Sequence, residues 1–198
     1  MIQLPSLRHL VAFDLTVRLR AANRAAEAVN LSQPAVTKAI ASIERHYGAR
    51  LFRRTSSGMV LTEAGETVHR RVERALQLLT AASRRIVAAG EQPRPLARLA
   101  TASQLRALIA VEATDGFASA ARTLGLAQPS VHRAARDLER LVGQPLFERV
   151  SHGLTVTQLG RDIARLSNLA FAELTAASDD LAASRGAVTG RVTVGCLP

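Results

Sequence analysis

The chain has 198 residues and a formal net charge of +10, with 26 Lys or Arg, all but one of them Arg, against 16 Asp or Glu. A surplus of that kind favours a polyanionic partner, because the guanidinium offers phosphate a planar fork of donors. The single cysteine, Cys196, excludes an intrachain disulfide and suits a reducing, cytoplasmic compartment; no apolar run reaches a signal-peptide core or the roughly 18 residues of a membrane span. With no Trp, one Tyr and five Phe, base-stacking platforms for single strands are disfavoured as well.

In chain order, Leu7, Leu10, Val11 and Phe13 place apolar groups on one side of a first helix, and Ala25, Ala26 and Val29 do so for a second. Asn30 tolerates the left-handed geometry of a tight turn. Ser32 is a good N-cap, and Pro34 suits a first helical turn, so a third helix is predicted to begin here. Its Val36, Ile40 and Ile43 point inward, leaving Gln33, Pro34, Thr37 and Lys38 outward at the end where the helix dipole is positive. After Gly48, Leu51 to Arg54 and Met59 to Leu61 read as two short strands around Ser56-Ser57-Gly58, a hairpin with Arg53 and Arg54 at its base. From about Thr62 a long helix follows, with Val68, Val72, Ala75, Leu79, Ala82 and Ile86 spaced by four and three, as in a coiled-coil seam.

The whole unit then returns at a constant shift of 95 residues: LSQPAV at 31–36 becomes LAQPSV at 126–131, Leu51-Phe52 becomes Leu146-Phe147, and Gly58, Thr62 and Gly65 become Gly153, Thr157 and Gly160. In the second copy Gln128, Pro129, His132 and Arg133 take the outward positions, Arg149 lies in the hairpin, and the seam runs through Ile163, Ser167, Ala170, Leu174, Ala177 and Leu181. The predicted fold is mainly α: two tandem winged helix-turn-helix domains with short two-stranded wings, each followed by a long pairing helix. The expected boundaries are 5–62 and 63–89 for the first unit and its helix, 90–99 for a connector, 100–157 and 158–185 for the second unit and its helix, and 186–198 for a terminal segment.

LSQPAVTKAIASIE, Leu51-Phe52-Arg53-Arg54, Gly58 and LTEAG at 61–65, with their counterparts at 117–160, closely resemble the DNA-binding domain of LysR-type transcriptional regulators. The resemblance implies a bacterial regulator that binds double-stranded DNA, associates through its long linker helices, and continues into a domain for a small-molecule effector. GRVTVG at 190–195 looks like the first strand of that domain. A nucleoid-associated location and contact with RNA polymerase are implied for the longer protein. On this reading Ser32, Gln33, Pro34, Thr37, Lys38, Arg53, Arg54, Gln128, Pro129, His132, Arg133 and Arg149 form the DNA-binding set. Val68, Val72, Ala75, Leu79, Ile86, Ile163, Ala170, Leu174 and Leu181 form the pairing set.

Four departures stand out, one of them Ala135 at the position where Ile40 packs in the first copy. Arg20 to Asn23 replace the family's usual Gly-Ser-aromatic-Thr start of its second helix; Asp14 sits at a commonly apolar position; Ala127 replaces the capping serine, a change worth about 0.5–2 kcal/mol at a typical N-cap. Charge is also uneven, with 15 Arg or Lys against 7 Asp or Glu in residues 1–95 but 11 against 9 in residues 96–198. The first copy is therefore expected to grip phosphate more strongly.

Antiparallel pairing of the two long helices would bring Asp179 and Asp180 toward His69, Arg70 and Arg71, whereas two first-copy helices would set Arg84 and Arg85 against the same basic stretch. One chain is thus expected to form a pseudo-dimer on an imperfect inverted repeat; the rival expectation is a second copy that serves only assembly. Nothing points to catalysis, a cofactor or a metal, since His9, His46, His69 and His152 show no ligand spacing with each other or with Cys196.

Overall fold

The structure is a computed structural model and describes residues 4–56, 58–86, 95–114, 116–150 and 153–184. Ser57, residues 90–94 of the expected connector, His152, GRVTVG and Cys196 lie outside the described residues. The first unit contains α1 (Leu7–Leu19), α2 (Ala22–Ala28), α3 (Gln33–Tyr47), β1 (Phe52–Thr55), β2 (Gly58–Leu61) and the long α4 (Glu63–Arg85). A short helix α5 (Leu96–Leu99) precedes the second unit, which contains α6 (Ala102–Glu112), α7 (Gly116–Leu124), α8 (Gln128–Val142), β3 (Phe147–Val150), β4 (Gly153–Val156) and the long α9 (Gln158–Ser184). Both hairpins are antiparallel, with Phe52 opposite Leu61 and Phe147 opposite Val156.

The repeated sequence builds a repeated set of local anchors. Ser32 Oγ accepts the Ala35 N–H at 3.4 Å to cap α3, while Ala127 at the start of α8 supplies no side-chain cap. Left-handed glycines, Gly48 (φ 61) and Gly143 (φ 75), end those two helices. Glu44 Oε1 accepts the N–H of Leu51 at 2.8 Å, and Glu139 Oε1 accepts that of Leu146 at 2.9 Å. Helices α3 and α8 therefore each hold the residues that lead into their own hairpin.

A second pair of anchors starts the long helices. The hydroxyl of Thr62 donates to the Arg50 carbonyl at 2.7 Å and accepts the Gly65 N–H at 3.0 Å; Thr157 does the same with Pro145 at 2.9 Å and Gly160 at 3.1 Å. The glycine is required by close approach, because a Cβ on Gly65 would lie 2.1 Å from the Leu51 carbonyl oxygen, and one on Gly160 would lie 2.6 Å from that of Leu146. α4 also carries Glu63 and Glu66 in its first turn and Arg84 and Arg85 in its last, which complements the helix dipole at both ends.

The long helices α4 and α9 of the same chain pack on each other and run antiparallel, since Arg71 near the start of α4 meets Asp180 near the end of α9. Val68, Val72, Ala75, Leu79, Ala82, Ile86, Ile163, Ser167, Ala170, Leu174, Ala177 and Leu181 are all buried, and one hydrophobic core runs through both units. Cross-braces tie each unit to the other's long helix: Tyr47 Oη donates to the Leu174 carbonyl at 3.2 Å, and the Gln144 amide donates to the carbonyl of Ile86. A smaller separate cluster of Ala12, Ala25, Ala26, Val36, Ala39 and Ile40 holds α1, α2 and α3 together.

Asp14 and the connector both acquire tertiary partners. Asp14 is buried, and its carboxylate receives Arg18 at 2.8 Å and His69 at 3.1 Å. Burial alone would raise its pKa; hydrogen bonds from His69 and Arg18 outweigh that and hold it below the usual carboxylate value. The connector expected at 90–99 ends in the helical turn of α5. Leu96 is fully buried, its N–H donates to Ser83 Oγ at 3.0 Å, and Arg8 Nε donates to the Arg98 carbonyl at 3.0 Å. No helix among the described residues is long and apolar enough to cross a membrane.

Candidate nucleic-acid interface

The pattern that buries Val36, Ile40 and Ile43 leaves Gln33, Pro34, Thr37 and Lys38 exposed at the leading end of α3. α8 buries Val131, Ala135 and Leu138 and leaves Gln128, Pro129, His132 and Arg133 exposed in the same way. Ser32 is exposed as well, with its hydroxyl used as a cap.

In the first unit an open groove of about 630 Å³ lies between α3 and the wing, and Gln33, Thr37, Arg53 and Arg54 all border it. Pro34 and Lys38 stand outside the groove lining. In the second unit Gln128, Pro129, His132 and Arg133 border an open depression of about 640 Å³, while Arg149 is exposed on β3 away from it. The structure thus brings Gln33 and Thr37 together with the wing arginines in the first unit, and Gln128, Pro129, His132 and Arg133 together in the second.

The side chains differ in how free they are to meet a ligand. Thr37 Oγ1 donates to the Gln33 carbonyl at 3.0 Å, which ties its hydroxyl hydrogen to the helix and leaves the oxygen free to accept. The His132 ring packs edge-on against Phe117 with centroids 4.8 Å apart, which limits its swing. Gln33 and Gln128 have no such restraint among the described residues. A glutamine amide so placed matches the donor and acceptor on the major-groove edge of adenine.

Cations divide in the same manner. Arg18 is neutralised by Asp14 and Glu73, Arg50 by Glu44 at 3.2 Å, Arg136 by Glu139 at 2.6 Å and Arg140 by Asp137. Lys38, Arg53, Arg54, Arg133 and Arg149 are exposed and have no ion pair among the described residues. The Glu139 carboxyl sits in a setting where burial raises its pKa, but Arg136 and the N–H groups of Leu146 and Phe147 hold it below the usual value. It stays an anion that fixes the second wing.

Arg20 and Asn23 also border the first groove, and Arg136 and Arg140 border the second depression. The sequence signalled Arg20 and Asn23 only as departures from the family's usual helix start; the proximity of that start to the wing depends on tertiary packing. Among the described residues no group of three or more His, Cys, Asp or Glu is placed to hold a metal ion.

The family description "Bacterial regulatory helix-turn-helix protein, lysR family" matches residues 7–66 and again residues 102–161. The chain is similar to the HTH-type transcriptional regulator GalR of Pseudomonas putida, 36% identical over 197 residues, covering 100% of this chain and 49% of that protein. It is similar to the HTH-type transcriptional regulator CfxR of Cupriavidus necator, 33% identical over 100 residues, covering 50% of this chain and 32% of that protein. Among solved structures, an H2O2-bound mutant of Corynebacterium glutamicum OxyR matches with 32% identity and a TM-score of 0.34, over 43% of this chain and 27% of that one. The chain spans about half, or less, of the length of these curated relatives.

Proposed function

The chain belongs to the lysR family of bacterial regulatory helix-turn-helix proteins, and on that premise we propose that it is the sequence-reading part of a transcriptional regulator, with both winged units of one chain engaging a single double-stranded DNA site. Gln33, Pro34 and Thr37 address base edges in one major groove, and Gln128, Pro129 and His132 address them in another. Ser32 sets the start of α3. Lys38, Arg53, Arg54, Arg133 and Arg149 grip phosphates, which fixes register and makes affinity fall as salt rises.

The observation that carries this reading is the antiparallel packing of α4 on α9 within one chain, with the leading ends of α3 and α8 left exposed. The packing favours an intrachain pseudo-dimer, with Val68, Val72, Ala75, Leu79, Ile86, Ile163, Ala170, Leu174 and Leu181 as its pairing surface. A helix of 23 residues, the length of α4, spans roughly 35 Å, about one turn of DNA. The reading helices are not identical, with Thr37 and Ala35 in one and His132 and Ser130 in the other, so the preferred site is an imperfect inverted repeat.

A rival reading has the first unit bind DNA while the second serves assembly. The uncapped start of α8 and the internal neutralisation of Arg136 and Arg140 favour it. Footprinting on a selected duplex separates the two. With Gln128→Ala and Arg133→Ala together, the proposed function requires loss of protection over one half-site, whereas an unchanged footprint and affinity would leave the second unit as a scaffold.

A further inference from the structure

Arg20 ends α1 in the left-handed conformation (φ 54, ψ 19), a geometry that glycine and asparagine adopt with least strain. The other left-handed non-glycine among the described residues is an asparagine, Asn30 (φ 53). At Arg20 the backbone is tied on two sides: its N–H donates to the Val17 carbonyl at 3.4 Å, and its carbonyl accepts the N–H of Met59 in the wing at 3.3 Å. Gly58 fits beneath that carbonyl, where a Cβ would lie 2.8 Å from the oxygen.

We propose that Arg20 is a phosphate-binding residue of the first unit, standing at the seam between helix-turn-helix and wing; the inference rests on the DNA-binding function proposed above. Its backbone is fixed on both sides, yet its side chain is exposed and borders the groove shared by Gln33, Thr37, Arg53 and Arg54. Arg18 and Arg50 nearby spend their charge on carboxylates, whereas Arg20 has no ion pair among the described residues. A side chain that is unfavourable for its backbone, and that has no ion pair among the described residues, is explained by a ligand of opposite charge.

The position beside the wing, and not on the outer face of α3, suits the DNA backbone better than a base edge. At the 95-residue shift Arg20, Arg53 and Arg54 correspond in sequence to Asp115, Glu148 and Arg149. Three cations in the first unit thus stand against one cation and two anions in the second. The first unit anchors the chain on DNA and the second contributes reading more than grip.

The test is binding of the full chain to its selected duplex and to a random duplex across several salt concentrations. Arg20→Gly keeps the left-handed backbone and removes the guanidinium. It should weaken binding to both duplexes, make the slope of log affinity on log salt shallower by about 0.9, and leave the ratio between the duplexes unchanged. Arg20→Lys should retain the wild-type slope. Arg20→Asn, which also suits this backbone, repeats the measurement if the glycine variant fails to melt cooperatively. An unchanged slope, or a loss confined to the selected duplex, overturns the assignment for Arg20 alone. Absence of salt-dependent binding by the wild-type chain overturns the DNA-binding function along with it.

Discussion

Arg71 Nε donates to Asp180 Oδ2 at 2.8 Å, and Arg71 Nη1 donates to Glu173 Oε2 at 2.9 Å, so one side chain of α4 joins two carboxylates of α9. The repeat relation between the units makes this contact directional. At the 95-residue shift Arg71 becomes Leu166, and Asp180 and Glu173 correspond to Arg85 and Leu78. Pairing α4 with a second α4 would set Arg71 toward Arg85; pairing α9 with a second α9 would set Leu166 toward two carboxylates. Mixed pairing alone satisfies the charges.

Arg71→Asp should therefore weaken mixed pairing by about 1 kcal/mol or somewhat more, because it replaces attraction with repulsion in a half-buried pair. It should also give interchain dimers, since a carboxylate introduced at position 71 suits a facing Arg85. Adding Asp180→Arg and Glu173→Arg should restore the monomer mass in sedimentation. An unchanged mass and melting curve for Arg71→Asp alone would show that packing, not charge, selects the partner.

Acid should loosen the same contact. The hydrogen bond from Arg71 holds Asp180 below the usual carboxylate value, and for Asp14 the hydrogen bonds from His69 and Arg18 override the opposing effect of burial. Both groups have a folded pKa below the unfolded one, so the unfolded chain binds more protons in the interval between them. Their stabilisation is present above the unfolded value of about 3.9 and is lost as pH falls through the folded value. Melting followed from pH 7 to pH 2 should decline steeply below about pH 4, and Asp180→Asn should flatten part of that decline. The Asp180 side chain is 38% exposed, so screening by salt keeps its share small.

Much of this architecture was legible in the sequence because periodicity and repetition survive without coordinates. The four-and-three spacing identified the twelve seam positions that prove buried, and Ser32, Gln33 and Pro34 marked the start of α3. Contacts between a side chain and a distant backbone left no such trace. Glu44 and Glu139 look like ordinary helix carboxylates until Leu51 and Leu146 are placed beside them. Asp14 stood out in the sequence only as a carboxylate at a commonly apolar position; its partners Arg18, one helical turn on, and His69, 55 residues away, emerge from the structure. The four residues of α5 are too few to show a period, and only burial of Leu96 in the shared hydrophobic core reveals why it is apolar.

One seam position is polar without reward. Ser167 is fully buried, and its hydroxyl has no hydrogen-bond partner among the described residues. Burying an unpaired hydroxyl costs about 1–3 kcal/mol, so Ser167→Ala should raise stability by about 1 kcal/mol after allowance for the small volume lost. Urea denaturation with an unchanged m value would read this directly. A destabilised alanine variant would mean that the hydroxyl is satisfied in solution.

The repeated glycines make the opposite prediction. Gly65→Ala drives a methyl group against the Leu51 carbonyl, which belongs to the backbone and has little room to yield. The cost should be about 1–3 kcal/mol, with the damage centred on the junction of the first wing and α4. Hydrogen exchange should show the amides of Thr62 and the substituted position losing protection before those at the centre of α4. Full protection at normal stability would contradict the close approach.

The central claim is that one chain supplies both reading helices, and the stoichiometry of its complex with DNA tests it most directly. Native mass measurement on a footprinted duplex should give one 21.1 kDa chain per site, with protection in two major grooves about one turn apart. Two chains per site of that length, each protecting a single groove, would contradict the intrachain pairing of α4 and α9.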